Sequence, residues 1–169
     1  MADLDPLPLI DRLSEASRQL LQQHDAPALK DLLVVGIHTG GVWVARLIAD
    51  QLGAELGEVD ISFHRDDILK SGLPQQTAVT RLPVTLDGRT VLLVDDVLHT
   101  GRTVRAALDE LYSYGRPARV LLAVLFDRGG YELPIRADVV GQRLQLEPGQ
   151  RVKLSGPEPL RVEVQEPRP

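Results

Sequence analysis

The stretch Val91-Leu92-Leu93-Val94-Asp95-Asp96-Val97-Leu98-His99-Thr100-Gly101-Arg102-Thr103 decides the fold. Its continuous apolar run, entered from Thr90, suits a strand buried on both faces in the middle of a parallel sheet. The strand ends in two adjacent carboxylates, and the carboxyl ends of strands are where open α/β sheets bind ligands. Immediately afterwards Thr100, Gly101, Arg102 and Thr103 open a helix, so unpaired backbone N–H groups, two hydroxyls and the guanidinium can converge on one phosphate. Gly101 permits positive φ and close approach. A phosphorylated sugar fits this layout, with the carboxylates accepting hydrogen bonds from a ribose diol and the helix N-terminus taking the phosphate. A plainer reading has Asp95 and Asp96 capping the helix, although capping needs only one acid. Neither a Walker A loop nor G-x-G-x-x-G occurs in the chain.

Outward from that stretch, strands and helices alternate. Ile10, Leu13, Ser17, Leu20 and Leu21 follow helical spacing and predict a helix over 7–23. Leu32 to Val35 is a short apolar strand ending at Gly36, and Val42 to Leu52 resumes helical spacing until Gly53. Val59 to Phe63 alternates with period two and predicts a second strand, ending in His64-Arg65-Asp66-Asp67. Lys70 to Arg81 shows little periodicity, as expected of a functional or mobile loop. Asp87-Gly88 resembles a hairpin turn into the strand Thr90 to Val94. A helix from Arg102 to Tyr114 and a buried strand from Val120 to Phe126 follow. Beyond Asp127 the pattern breaks into short pieces that read as peripheral strands, with Glu166 to Pro169 as a frayed tail. The expected fold class is α/β, a central parallel sheet flanked by helices, in one domain over 1–169.

Composition narrows the chemistry. The chain has 169 residues, 43% hydrophobic and 25% charged, which is the make-up of an ordinary globular chain. With no cysteine it can have no disulfide framework, thiolate metal site or cysteine nucleophile, and a reducing compartment, the cytoplasm, is expected. No apolar run approaches the roughly 20 residues of a membrane span, and the N-terminus lacks a secretory pattern, so no membrane association is expected. Residues 1–114 hold 10 basic and 17 acidic side chains, residues 115–169 hold 9 and 7, and the net charge is −5. A polyanion would therefore prefer the C-terminal third.

The quoted stretch resembles the phosphoribosyl pyrophosphate motif of type I phosphoribosyltransferases, and its extension through Val104-Arg105-Ala106-Ala107-Leu108-Asp109 resembles the PyrR family. So do Gly36-Ile37-His38-Thr39-Gly40-Gly41, Arg65-Asp66-Asp67, and Asp127-Arg128-Gly129 followed by Glu132-Leu133-Pro134-Ile135-Arg136-Ala137-Asp138 and Gly141. The similarity runs from about Leu32 to Leu154. Members of that family regulate pyrimidine operons and are related to uracil phosphoribosyltransferases. The resemblance implies uracil phosphoribosyltransferase activity, with phosphoribosyl pyrophosphate, uracil and UMP as ligands and Mg2+ carried with the donor. It further implies nucleotide-dependent binding to the leader mRNA of the pyr operon, and a homodimer or higher homo-oligomer.

Under this resemblance the catalytic set is Asp95, Asp96, Arg65 and His99. Asp95 and Asp96 would hold the ribose hydroxyls, Thr100, Gly101, Arg102 and Thr103 the 5′-phosphate, and His38, Thr39, Gly40 and Gly41 the pyrophosphate. Val97, Leu98, Arg128 and Val152 complete the substrate-binding set. A flexible lid is expected over about 66–81, and a hood of short strands, with base-binding residues near Arg128 and Arg136 to Gly141, over about 127–165. Plainer roles stand beside these: Arg65 pairing with Asp66 or Asp67, Arg128 neutralising Asp127, and His38 or His99 as ordinary loop histidines. Arg116, Arg119, Arg143, Arg151, Lys153 and Arg161 could form an RNA-facing patch or simply a solvated rim. The chain departs from the usual pattern at Gly40, where arginine is common, at His64 and His99, where tyrosine is common, at Gly130-Tyr131 in place of His-Arg, and at Gln142 in place of lysine. Without the arginine a bidentate phosphate donor is lost. That leaves open a nucleotide-binding regulator with weak or no catalysis, and a purine-salvage phosphoribosyltransferase is a third reading.

Overall fold

The computed structural model of the chain describes residues 4–24, 31–62, 79–83 and 85–169. Strands β1 (Leu32–Ile37), β2 (Glu55–Val59), β3 (Thr90–Leu98), β4 (Arg119–Asp127) and β5 (Val139–Arg143) form a sheet in the order β2-β1-β3-β4-β5. Every neighbouring pair is parallel. Helices α1 (Pro6–Gln23) and α2 (Gly40–Leu52) cover one face, and α3 (Arg102–Tyr112) covers the other. Strands β6 (Arg151–Ser155) and β7 (Arg161–Gln165) make a separate antiparallel pair.

The pleat sorts each strand between two cores. Val34, Leu92, Val94 and Ala123 pack toward α1 and α2, and Leu33, Val35, Val91, Leu93 and Val124 pack toward Val104, Ala107 and Leu111 of α3. β1 and nearly all of β4 are buried, which explains their unbroken apolar runs. The β6–β7 hairpin adds Leu154 and Val162 to the α1–α2 side, where Leu4 forms an isolated bridge with Val162.

Several expectations need correction. The second strand is Glu55–Val59, four residues earlier than the alternating stretch Val59 to Phe63. Its register against β1 ends at the pair Ile37 and Val59. Asp60 then accepts the Ser62 N–H on Oδ1 at 3.0 Å, a local turn that stops the strand. Asp87-Gly88 does not make a hairpin, because β3 pairs in parallel on both sides. The turn instead docks on the loop after α3, with Gly88 N–H donating to the Arg116 carbonyl and Arg116 N–H to Asp87 Oδ1. β3 does not stop at Val94 but carries the acid pair within it to Leu98. β5 belongs to the main sheet rather than to the periphery. Most of the expected lid, with Arg65, lies outside the described residues; at its end Arg81 forms a backbone bridge with Glu58.

Candidate active site

In this strand order the chain leaves β1 toward β2 through α2 on one face, and leaves β3 toward β4 through α3 on the other. The connections diverge between β1 and β3, opening a crevice at their carboxyl ends where such sheets take ligands. The acid pair and the two glycines at the start of α2 meet there. A Cβ built on Gly41 would lie 2.6 Å from the Val94 carbonyl oxygen and 3.1 Å from Asp95 Cα, and one on Gly40 would lie 2.8 Å from Asp96 Cγ. These glycines let a helix N-terminus, with its unpaired N–H groups, press against the carboxylates.

Asp95 is buried and Asp96 half-buried. Asp95 Oδ1 accepts the Asp96 N–H at 2.9 Å, and Asp96 Oδ1 accepts the Val97 N–H at 3.0 Å. The residue at the N-cap of α3 is Gly101, which has no side chain to offer its first turn. Gly101 thus holds the cap position of α3, and the acid pair stands beside the start of α2 in the crevice.

The phosphate turn is built for backbone donation. Gly101 has φ +95°, and Arg102 N–H donates to Thr100 Oγ1 at 3.2 Å. The amides of Thr103 and Val104 lie in the first helical turn, where no intrahelical acceptor exists. Glu132 and Leu133 N–H groups donate to the Thr100 carbonyl at 2.9 and 3.2 Å, tying the turn to the segment after β4. The Arg102 guanidinium donates from Nε to Glu132 Oε2 at 2.9 Å, bracing the turn against that segment.

In the loop before α2, His38 Nε2 lies 3.1 Å from Glu58 Oε2, and Arg46 donates to the other oxygen of that carboxylate at 3.3 Å. The His38 side chain is thus engaged toward β2, and Thr39, Gly40 and Gly41 offer backbone to the crevice. His99 extends from the segment joining the acid pair to the phosphate turn and reaches the Gly129 carbonyl with Nδ1 at 2.8 Å. The Val97 side chain packs toward the α1–α2 core and that of Leu98 is buried toward α3. Val152 lies on β6 and also packs toward the α1–α2 core.

Arg128 does not neutralise Asp127. The buried Asp127 carboxylate is paired with Arg143 and accepts from Gly129 N–H and Tyr131 O–H, whereas Arg128 Nε is buried without a hydrogen-bond partner. The hydrogen bond to Asp127 raises the Tyr131 phenol above its ordinary pKa; burial and the Asp127 charge add to this, and Arg143 opposes it. Sequence reasoning missed the roles of Glu58, Glu132, Tyr131 and Arg143. The position of Asp127, a carboxylate closing a long apolar run, was the one available signal.

Comparison with known proteins agrees with this geometry. Residues 9–152 match the phosphoribosyl transferase domain family. The chain is 49% identical over 152 residues to the Bifunctional protein PyrR of Nitrosococcus oceani, covering 88% of this chain and 83% of that one. It is 48% identical over 161 residues to that of Pseudomonas paraeruginosa, covering 94% and 93%. Among solved structures, a hypoxanthine-guanine phosphoribosyltransferase from Bacillus anthracis superposes with a TM-score of 0.63 at 14% identity, over 85% of this chain and 84% of that one. A purine phosphoribosyltransferase from Pyrococcus horikoshii does so with a TM-score of 0.60 at 22% identity, over 80% and 83%. At these identities the structures speak for the fold alone. The domain match over most of the chain, with relatives near half identity along nearly its whole length, shows that the chain belongs to the PyrR family of phosphoribosyl transferase domain proteins.

Proposed function

We propose that this chain converts uracil and phosphoribosyl pyrophosphate to UMP and diphosphate, and that uridine nucleotides in the same pocket govern its binding to the leader mRNA of pyrimidine biosynthesis genes. The observation that carries the enzymatic half is the meeting of the acid pair, the amide turn and the start of α2 at one switch point, in a member of the PyrR family. In the reaction the bond from the sugar anomeric carbon to the pyrophosphate oxygen breaks, a bond to uracil nitrogen forms, and that nitrogen loses its proton. Catalysis then consists mainly of alignment and stabilisation of the departing pyrophosphate, with no protein nucleophile. Asp95 and Asp96 hold the ribose hydroxyls, residues 100–103 the 5′-phosphate, and residues 38–41 the pyrophosphate. Arg128 and the segment from Arg136 to Gly141 belong to the hood over the base, and His99 accepts the proton.

Mg2+ bound with the donor would supply charge screening of the pyrophosphate, with phosphate and water oxygens as its main ligands. Of the cationic residues considered for RNA, Arg143 is engaged by Asp127 and Arg119 donates to the His24 carbonyl. Arg151, Lys153 and Arg161 are exposed on the β6–β7 hairpin and form the better electrostatic footprint. The working form is a homodimer or larger, acting in the cytoplasm; among the described residues no helix is long and apolar enough to cross a membrane.

The test is pyrophosphate release from the donor with uracil, hypoxanthine or guanine, beside calorimetric titration with UMP. Uracil should support turnover and the purines should not, because unmatched polar groups are rejected by large factors. Turnover with a purine alone would replace the reading with purine salvage. Tight UMP binding without turnover would reduce it to a nucleotide sensor. Leader RNA should bind more tightly with UMP and more weakly as salt rises.

A further inference from the structure

The turn after β4 is organised by one buried carboxylate. Asp127 is 3% exposed. Its Oδ1 accepts the Gly129 N–H at 3.0 Å, while Oδ2 accepts the Tyr131 O–H at 2.6 Å and an Arg143 N–H at 2.9 Å. Burying a carboxylate is costly unless donors surround it, and here three donors do. With its N–H held this way, Gly129 offers its carbonyl to His99 Nδ1 at 2.8 Å. Gly130 makes room for the ring: its φ is +78°, and a Cβ there would lie 2.7 Å from His99 Cε1 and 2.9 Å from Nδ1.

A carbonyl oxygen can only accept, so Nδ1 must carry the hydrogen. In the neutral ring Nε2 then bears the lone pair. We propose that Asp127 is a positioning residue, acting through the Gly129 backbone, whose N–H it holds and whose carbonyl meets the ring, to keep His99 as the Nδ1–H tautomer with Nε2 ready to accept the proton from the attacking uracil nitrogen. The imidazole receives that proton as the carbon–nitrogen bond forms, and releases it to water after pyrophosphate departs. Tyr131 and Arg143 serve the same end by completing the shell around Asp127. This inference rests on the uracil-transfer reading for its chemistry, but the tautomer can be observed without turnover.

The experiment has two arms on the full chain. In the first, nitrogen-15 NMR of the four histidines, with His99 assigned by His99→Gln, reads which ring nitrogen is protonated. The wild type should show Nδ1–H, and Asp127→Ala should shift His99 toward Nε2–H; should that variant fail to fold, Arg143→Met, altering an exposed arm, should give a partial shift. In the second arm, His99→Phe should lower kcat about 100-fold and Asp127→Asn about tenfold, with KM for the donor little changed in both. The double variant should be no slower than His99→Phe alone, because a residue acting only through His99 has nothing left to act on. An unchanged tautomer in the Asp127 and Arg143 variants, or multiplicative losses in the double variant, would overturn the inference. A wild type that never turns over uracil would instead overturn the transfer reading, while the first arm still decides whether Asp127 sets the tautomer.

Discussion

The loops leading into α2 and α3 occupy equivalent places, each joining the carboxyl end of a parallel strand to a helix, yet they use glycine for opposite reasons. At Gly40 and Gly41 the need is space, because added carbon would meet Asp96 and the backbone at Val94 and Asp95. At Gly101 the need is conformation: φ is +95° and the nearest side-chain atoms, on Leu133 and Ile135, stand at 3.4 Å. One loop is a wall against the acid pair, and the other is a bent backbone that turns amides outward. In the proposed function a pentose phosphate would span both, with the acid pair as the element they share.

Removing that shared element should have the largest effect. Asp95→Asn with Asp96→Asn should reduce UMP and donor binding at least about 100-fold, two charge-assisted contacts being lost at about 1.5–3 kcal/mol each. The fold should remain, and calorimetry beside a thermal melt checks both. Breaking the second loop comes next: Gly101→Ala forces a side chain into left-handed backbone at about 1–2 kcal/mol, and UMP affinity should fall about tenfold as the amides tilt. The two remaining glycines sharpen the contrast. Gly41→Ala meets fixed backbone and should lower stability by about 1–3 kcal/mol, seen in denaturant unfolding. Gly40→Ala meets the Asp96 side chain rather than backbone, most closely at its carboxylate, so stability should change less than at Gly41 while nucleotide affinity drops by about threefold to tenfold as that carboxylate turns. A Gly40 variant that unfolds, or a Gly41 variant with unchanged stability, would erase the distinction.

The smallest effect concerns pH. The Tyr131 phenol is raised above its ordinary value, chiefly by its hydrogen bond to Asp127. The folded state therefore keeps its proton where the unfolded chain has begun to lose it. This stabilisation is whole below about pH 10, the ordinary tyrosine value, and fades as pH climbs through the raised one. Tyr131→Phe should flatten the alkaline decline in melting temperature. An equally steep decline would show that the phenol has no such coupling.

The legible and illegible parts of the molecule divide on physical grounds. β3 and the turn into α3 could be read because burial on both faces imposes a continuous apolar run, and ligand chemistry adds two acids and a glycine turn. The stop of α2 was marked by Gly53, which ends the helix at φ +64°, while its first turn begins at Gly40, two residues before the helical spacing read from Val42. β2 could not be read: Glu55-Leu56-Gly57-Glu58 carries little strand preference, and it is β1 that imposes the register. The glycine there is set by a neighbour, since a Cβ on Gly57 would lie 2.9 Å from Leu82. The Asp127 network was equally hidden, because Tyr131, Arg143 and the Gly129 contact to His99 come together only through the fold. The Arg102 contact was hidden for a related reason: its position in the turn was clear, but its partner Glu132 lies 30 residues away.

The β6–β7 hairpin carries a consequence for how the molecule is made. Leu154 and Val162 complete the layer over α1 and α2, and the latter bridges Leu4. The layer under α3 draws its buried residues from positions 33 to 124. Chains emerge from the ribosome N-terminus first, so one side of the sheet has its buried residues while the other still awaits the hairpin. During that interval the earliest helix of the nascent chain lacks its final cover, and that flank is where a chaperone would find apolar surface to hold.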